Sequence, residues 1–325
     1  MTRNMSNELI SKHRTAIMGL SIIWIMLYHF RGHEADTYLQ SLLATGMGGV
    51  DFFFFLSGYG LTYSYFDRLL QTVSAFGFYK KRLHRILPAY FSVIIICNAA
   101  SGGSIAETLW SLSCISFWIR KPYYDWYIPS LLLFYAVFPL FIELARKTSI
   151  KKSSALFIAV GLVFTAILVA MWKGDAYMLF FSRIPVFFVG CMWGYMLLKG
   201  KRLSSTCKWA LVVLSLAAIA AECWLTVRFD SVFLNKISLG HLLFVAICPG
   251  ACLVLSGVFE YIGSNRLLSV VNTVLCFIGS ISLEVYLCHL SLVKEPMYVY
   301  LPLAVLCGYV LNRVIRVVER RLAVG

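Results

Sequence analysis

The chain has 325 residues, of which 60% are hydrophobic and only 14% charged, with a mean hydropathy of +0.79. A soluble domain carries about 25% charged residues, so this composition excludes an assembly of soluble domains and defines a polytopic membrane protein. The net charge of +14 is scattered through short segments between apolar runs. That pattern fits loops rich in Lys and Arg on the cytoplasmic side and excludes a nucleic-acid-binding surface.

Runs of about 17 to 25 apolar residues are long enough to span a bilayer. They fall at 14–31, 44–66, 86–101, 126–145, 153–172, 177–198, 208–227, 238–259, 271–292 and 297–317. The first lacks a cleavage site and is expected to remain as a span. A further short stretch, 104–118, contains Ser104, Glu107, Ser111, Ser113 and Ser116. If it does not span, most of the 29 Lys and Arg residues face the cytoplasm. The expected fold is therefore all-α: a polytopic membrane protein of about ten transmembrane helices, both termini cytoplasmic, forming one domain over 1–325. The stretch 104–118 becomes a short outer or re-entrant helix. Between spans two and three, Phe76, Phe78, Tyr79, Leu83, Ile86 and Leu87 alternate with Lys80, Lys81, Arg82, His84 and Arg85. This reads as an amphipathic interfacial segment or as a plain charged stop at the membrane surface. The ten Cys lie mostly in apolar runs without metal-ligand spacing, so they read as small core residues and no metal is expected.

Ionisable side chains inside spans are costly and mark candidate functional sites. His29 ends the first apolar run, and Asp51 enters the second from the same side. The expectation is that they lie at comparable depth, with the Asp51 carboxylate fixing the tautomer of the imidazole. The plainer alternative is that each only fixes helix packing. Arg14 precedes His29 by fifteen residues, about 22 Å along a helix and about 60° off its face. One helix can thus carry a cation at its cytoplasmic end and, at the other end, an imidazole able to take a proton near neutral pH.

Five stretches, in order, carry a family resemblance. They are His29 after Arg14; Gly49-Val50-Asp51-Phe52-Phe53-Phe54-Phe55-Leu56-Ser57-Gly58-Tyr59; Arg82-Leu83-His84-Arg85-Ile86-Leu87-Pro88-Ala89-Tyr90; Arg183-Ile184-Pro185-Val186-Phe187-Phe188-Val189-Gly190; and Gly279-Ser280-Ile281-Ser282-Leu283-Glu284-Val285-Tyr286-Leu287-Cys288-His289. Together they resemble the acyltransferase 3 family of integral membrane acyltransferases, over about residues 14–293. The resemblance implies a ten-helix enzyme of the bacterial cytoplasmic membrane, surrounded by lipid. It would move an acyl group, often acetyl, from acyl-CoA to a hydroxyl of a glycan or glycolipid. It also implies that His29 is essential and that Arg82 and Arg85, with Arg14, serve the acyl-CoA. Guanidiniums suit the phosphates of coenzyme A. Ser57, Tyr59, Trp126, Arg183, Glu284 and His289 become candidate substrate-binding residues.

The chain departs from the family at three points. The spacing from Arg14 to His29 is about one helical turn longer than usual, which leaves the equivalence of Arg14 open. A glutamate expected a few residues after Trp126 is absent, and Glu284 is its candidate replacement. No esterase-like domain follows the last span, so a relayed acyl group would need a separate partner. Arg183 has two candidate ion-pair partners, Asp175 and Glu284, as well as a role in binding substrate. Tyr123, Tyr124, Trp126 and Tyr127 read either as an interfacial aromatic belt or as the lining of a sugar entrance. His289 reads as a solvated residue near the outer end of its span or as a site residue. Intramembrane His, Asp, Glu and Arg also suit a proton-coupled transporter or flippase, but the chain shows no internal repeat.

Overall fold

A computed structural model describes residues 5–30, 43–71, 75–120, 126–171, 176–201, 203–228, 239–265 and 268–324. Among these residues there are helices and turns and no strand. The helices are α1 (Met5–Phe30), α2 (Gly49–Gln71), α3 (Ala75–Ala100), α4 (Ile105–Leu112), α5 (Ser116–Arg120), α6 (Tyr127–Lys147) and α7 (Ile150–Ala170). They continue with α8 (Ala176–Phe181), α9 (Ile184–Leu198), α10 (Ser205–Arg228), α11 (Leu239–Ser264), α12 (Ser269–Ser280), α13 (Ser282–His289) and α14 (Met297–Val324). Seven helices among the described residues are long and apolar enough to cross a membrane. A bent pair, α12 and α13, would make eight. These match the last eight expected spans. Helices α1 and α2 are also long, at 26 and 23 residues, but polar side chains, Arg14, His29 and Asp51 among them, dilute their apolar character. The chain is an all-helical polytopic membrane protein.

Three sequence expectations change. The basic segment 76–87 is not a separate interfacial piece, because α3 runs unbroken from Ala75 through Pro88 to Ala100. The expected span 177–198 breaks at Ser182 and Arg183, with Pro185 in the first turn of the next helix. Proline suits a helix start, where its missing N–H costs nothing. The expected span 271–292 bends by 69° at Ile281. The stretch 104–118 forms two short helices, α4 and α5, each too short to span.

The chain divides into two compact units, residues 1–73 with 138–279, and residues 74–137 with 280–325. In the first unit, α2 and α9 cross with their backbones in contact. A Cβ at Gly190 would come within 2.1 Å of the Phe55 carbonyl oxygen, and one at Gly194 within 2.2 Å of that of Tyr59. Helices in lipid associate through such close van der Waals packing rather than through water release, which is why small residues four apart line the crossing. Phe54, Phe55, Phe187 and Phe188 fill the core around it. The same logic joins α1 to α12, where a Cβ at Gly279 would come within 1.8 Å of the Thr15 carbonyl oxygen.

In the second unit, α13 packs on α14 and α3. The Tyr90 hydroxyl donates to the Ser111 carbonyl at 2.8 Å, tying α3 to the end of α4. Helix α4 opens with a capping box. The Ser104 side chain accepts from the Glu107 N–H, and the Glu107 carboxylate accepts from the Ser104 N–H, satisfying donors that a helix start leaves open.

Candidate functional site

Two clusters of buried ionisable groups stand out, one in each unit. The first gathers Asp51 from the first turn of α2, Arg183 from the break before α9, and His241 from the first turn of α11. All three are buried, Asp51 completely. Arg183 Nε lies 3.6 Å from Asp51 Oδ1, and His241 Nδ1 lies 3.3 Å from Asp51 Oδ2. Arg183 Nη2 lies 3.0 Å from His241 Nδ1 and 3.2 Å from Nε2, while Nη1 donates to the Leu179 carbonyl at 2.8 Å. A neutral imidazole has one N–H and one lone pair. When Nδ1–H donates to Asp51, the guanidinium must therefore address Nε2. The break at Ser182 and Arg183 is what swings the arginine into this position: the last turn of α8 supplies a carbonyl, and α9 begins at the charge itself.

This changes the expected partnership of Asp51 with His29. Residues near the α2 start lean on the middle of α1. A Cβ at Gly46 would meet the Trp24 carbonyl and the Tyr28 Cβ, and one at Gly49 the Ser21 carbonyl. Asp51 is thus level with about Ser21, eight residues and about 12 Å along α1 from His29. Helix is already present at residue 43, eight residues before Asp51, so the carboxylate lies about two turns from the depth of His29 and not level with it. Its partners are Arg183 and His241. His29 itself lies half-buried in the last turn of α1, with its ring edge-on to Tyr28 at 4.9 Å. Arg183 pairs with Asp51; of the two partners expected from sequence, Glu284 is held by Arg85 and Asn312, and Asp175 lies outside the described residues.

Farther along the same helix pair, the Arg14 guanidinium rests against α2. A Cβ at Gly60 would come within 2.7 Å of its Nη1. Tyr59, buried, faces the same region, and Ser57, two residues earlier, is half-buried. Next to Arg14, Lys12 Nζ and His13 Nε2 both bind the Glu260 carboxylate of α11, at 2.6 and 2.7 Å.

The second cluster joins two motifs that lie 199 residues apart in sequence. Arg85 of α3 grips Glu284 of α13 with both terminal nitrogens, at 2.6 and 3.3 Å. Asn312 of α14 donates to the same carboxylate at 2.8 Å. Glu284 is fully buried, while the Arg85 side chain is 47% exposed. Arg82, one turn before Arg85, stands over the Tyr135 ring at 5.8 Å from its centre. Trp126 and Tyr127 are buried rather than arranged as a lipid-facing belt. They start an aromatic series in which Tyr127 meets Tyr286 at 4.5 Å and Tyr286 meets His289 at 5.1 Å. Tyr123 and Tyr124 lie outside the described residues. His289 is not solvated but buried, with Nδ1 against the Tyr286 carbonyl.

Sequence reading missed three buried polar residues in or beside these clusters. His241 and Glu222, both buried, lie inside the apolar runs 238–259 and 208–227. The rule that singled out His29 and Asp51, an ionisable side chain within a span, applies to them equally. Asn312, at the charged end of α14, gave no such signal.

The fold and these buried clusters define a class: a multi-pass membrane protein whose ionisable side chains are built into its helix packing. A family model of an acyltransferase domain matches residues 16–316. The chain belongs to the acyltransferase 3 family, and it is a membrane acyltransferase. Neither a curated protein nor a solved structure matches it.

Proposed function

We propose that this acyltransferase moves an acyl group, acetyl in the first instance, from cytosolic acyl-CoA to a hydroxyl of a cell-surface or lipid-linked glycan. It does so in the cytoplasmic membrane, as a multi-pass protein. The observation that carries the reading is the family match across nearly the whole chain. His29 is the base: it takes the proton of the acceptor hydroxyl, whose oxygen attacks the thioester carbonyl. The new C–O bond forms as the C–S bond breaks, and the departing thiolate of coenzyme A takes up the proton. Arg82 and Arg14 serve the phosphates of the donor as cationic side chains. Arg85, already held by Glu284 through two hydrogen bonds, reaches the donor through its exposed side. The pairing of Asp51 with Arg183 and His241 recasts its role. It holds three helices in register around the acceptor region instead of orienting His29. Trp126, Ser57, Tyr59 and His289 are the proposed contacts for the sugar.

The test is binding of radiolabelled acetyl-CoA to the purified protein, followed by acyl transfer to an envelope extract. Saturable binding is expected in the native chain, weakened about tenfold in Arg82→Ala through loss of a charge-assisted contact. In His29→Ala, binding should survive and transfer should be lost. Undiminished transfer by His29→Ala, or movement of a sugar-lipid across the membrane without any need for acyl-CoA, would overturn the reading.

A further inference from the structure

One buried carboxyl makes no hydrogen bond in either cluster. Glu222 of α10 is 2% exposed, and neither of its carboxyl oxygens has a hydrogen-bond partner among the described residues. A buried carboxyl without a partner is costly, and in a membrane span it is a functional candidate by default. Room has been left for it. Gly240 faces it, and a Cβ there would come within 2.7 Å of Oε1.

Glu222 also lines a cavity of about 380 Å³, within the range of about 300–1,000 Å³ typical of ligand pockets. The cavity lies wholly within the first unit, between α1, α2, α10 and α11. Trp24, Phe52 and Phe244 form one wall, with ring centres 6.2 to 6.4 Å apart. The remainder is almost entirely apolar, and the hydroxyl of Ser215 is turned away to the Ile247 carbonyl at 2.9 Å. The shape follows from the helices. From Glu222 back to Val212 is ten residues of α10, about 15 Å, and α11 lines the opposite side from Phe244 to Leu255. The cavity is therefore a long apolar slot with its polar group near one end. Its mouth is sideways: Leu216, Ile219 and Val254 line it and are 58%, 38% and 44% exposed, on helices that span the membrane.

We propose that this slot is a lateral binding site for a membrane amphiphile: its aliphatic chain lies along α10 and α11, and its hydroxyl or amine meets the carboxyl of Glu222. A soluble ligand fits poorly, because the mouth opens between membrane-spanning helices and the walls are almost entirely apolar, with only Thr45, Ser215 and Glu222 as oxygen-bearing side chains. A plain hydrocarbon leaves Glu222 without a partner. An aliphatic chain ending in a hydrogen-bond donor satisfies both halves of the slot. Two sources share this chemistry, a bilayer lipid with a free hydroxyl and a free polyprenyl alcohol.

The experiment uses the full chain in lipid nanodiscs and a long-chain aliphatic alcohol bearing a photoactivatable diazirine on its chain. Label sites are mapped by mass spectrometry, with no acyl donor present, so the result stands apart from the acyl-transfer reading. Label should concentrate on 212–223 and 244–255. The unlabelled alcohol should displace it about tenfold better than an alkane of equal length, as expected for one hydrogen bond to a carboxyl. Glu222→Leu should erase that preference while labelling continues. Ala251→Phe should fill the slot and remove the label, and Leu216→Trp at the mouth does the same service if the first variant fails to fold. Displacement by a polyprenol at lower concentration than by a monoacylglycerol identifies the polyprenyl alcohol as the ligand; the reverse identifies a bilayer lipid. Label spread evenly over other exposed spans, including Trp209 and Val274, would overturn the proposal. So would equal displacement by alkane and alcohol in the native chain.

Discussion

The two ionisable clusters answer the same problem, a charge inside a membrane protein, in different ways. Around Asp51 every member is buried: carboxylate, guanidinium and imidazole come from three helices and neutralise one another. Around Glu284 only the carboxylate and its amide partner are buried, while the Arg85 side chain is 47% exposed. A closed cluster can exchange nothing with solvent, so its value is register among helices. A half-open cluster keeps one cation at the surface, where it can hold its carboxylate and still meet an anion. The contrast predicts how each responds to loss of one partner.

The largest effect belongs to the closed cluster. Asp51→Ala leaves the Arg183 charge buried without its carboxylate, at a cost of about 3–5 kcal/mol. Arg183→Ala leaves the carboxylate stranded and should cost a similar amount. Removing both, as Asp51→Leu with Arg183→Leu, should recover much of the loss, because the desolvation penalty disappears with the charges. Thermal unfolding of the purified variants, with size-exclusion profiles as a check on folding, measures all three. Equal damage from the double and single variants would remove the argument for charge pairing.

At the half-open cluster the two single variants should differ. Arg85→Ala strands a fully buried carboxylate with only Asn312 as donor, and about 2 kcal/mol of stability should go. Glu284→Ala lets a guanidinium already at the surface turn into water, so the cost should be about 1 kcal/mol or less. The same thermal measurement on both variants tests the ordering. If Glu284→Ala is the more damaging, the carboxylate is holding α13 and α14 together and the surface position of Arg85 is incidental.

The sequence made the helices legible because twenty apolar residues in lipid have one stable conformation. It also exposed most of the chemistry-bearing residues, since an ionisable group in an apolar run is conspicuous. Arg183, Glu284 and Asp51 were all found that way, and all are buried. What it did not show is who pairs with whom. The Arg85–Glu284 pair depends on the register between α3 and α13, and nothing local to either segment encodes that register. The assignment of Asp51 to His29 failed for a related reason: hydropathy marks where a run begins, not how far down a neighbour each residue falls, and the glycines at 46 and 49 set that depth. The breaks at Arg183 and Ile281 were invisible as well, because a run of apolar residues reads the same whether the helix is straight or bent. Family resemblance supplied what physics alone left open, the reaction class, by recognising the motifs as a set.

The smallest effect tests the exposed limit of the same series. Glu107 in the capping box of α4 is fully exposed, and its carboxyl is held below its ordinary value of 4.5, first by the backbone N–H of Ser104 and then by its side chain. A folded value below the unfolded one means the contribution is fully present above about pH 4.5 and is lost as pH falls through the lower, folded value. Hydrogen exchange at the start of α4 should therefore quicken, relative to the intrinsic exchange rate, only on acidification into that window. Ser104→Ala should speed exchange at the same amides by about fivefold at neutral pH, the worth of one helix cap, and should leave the unfolding temperature unchanged. A global shift from Ser104→Ala would mean that α4 is braced through its cap as firmly as the buried clusters brace the spans. Burial would then not rank the three sites as the comparison requires.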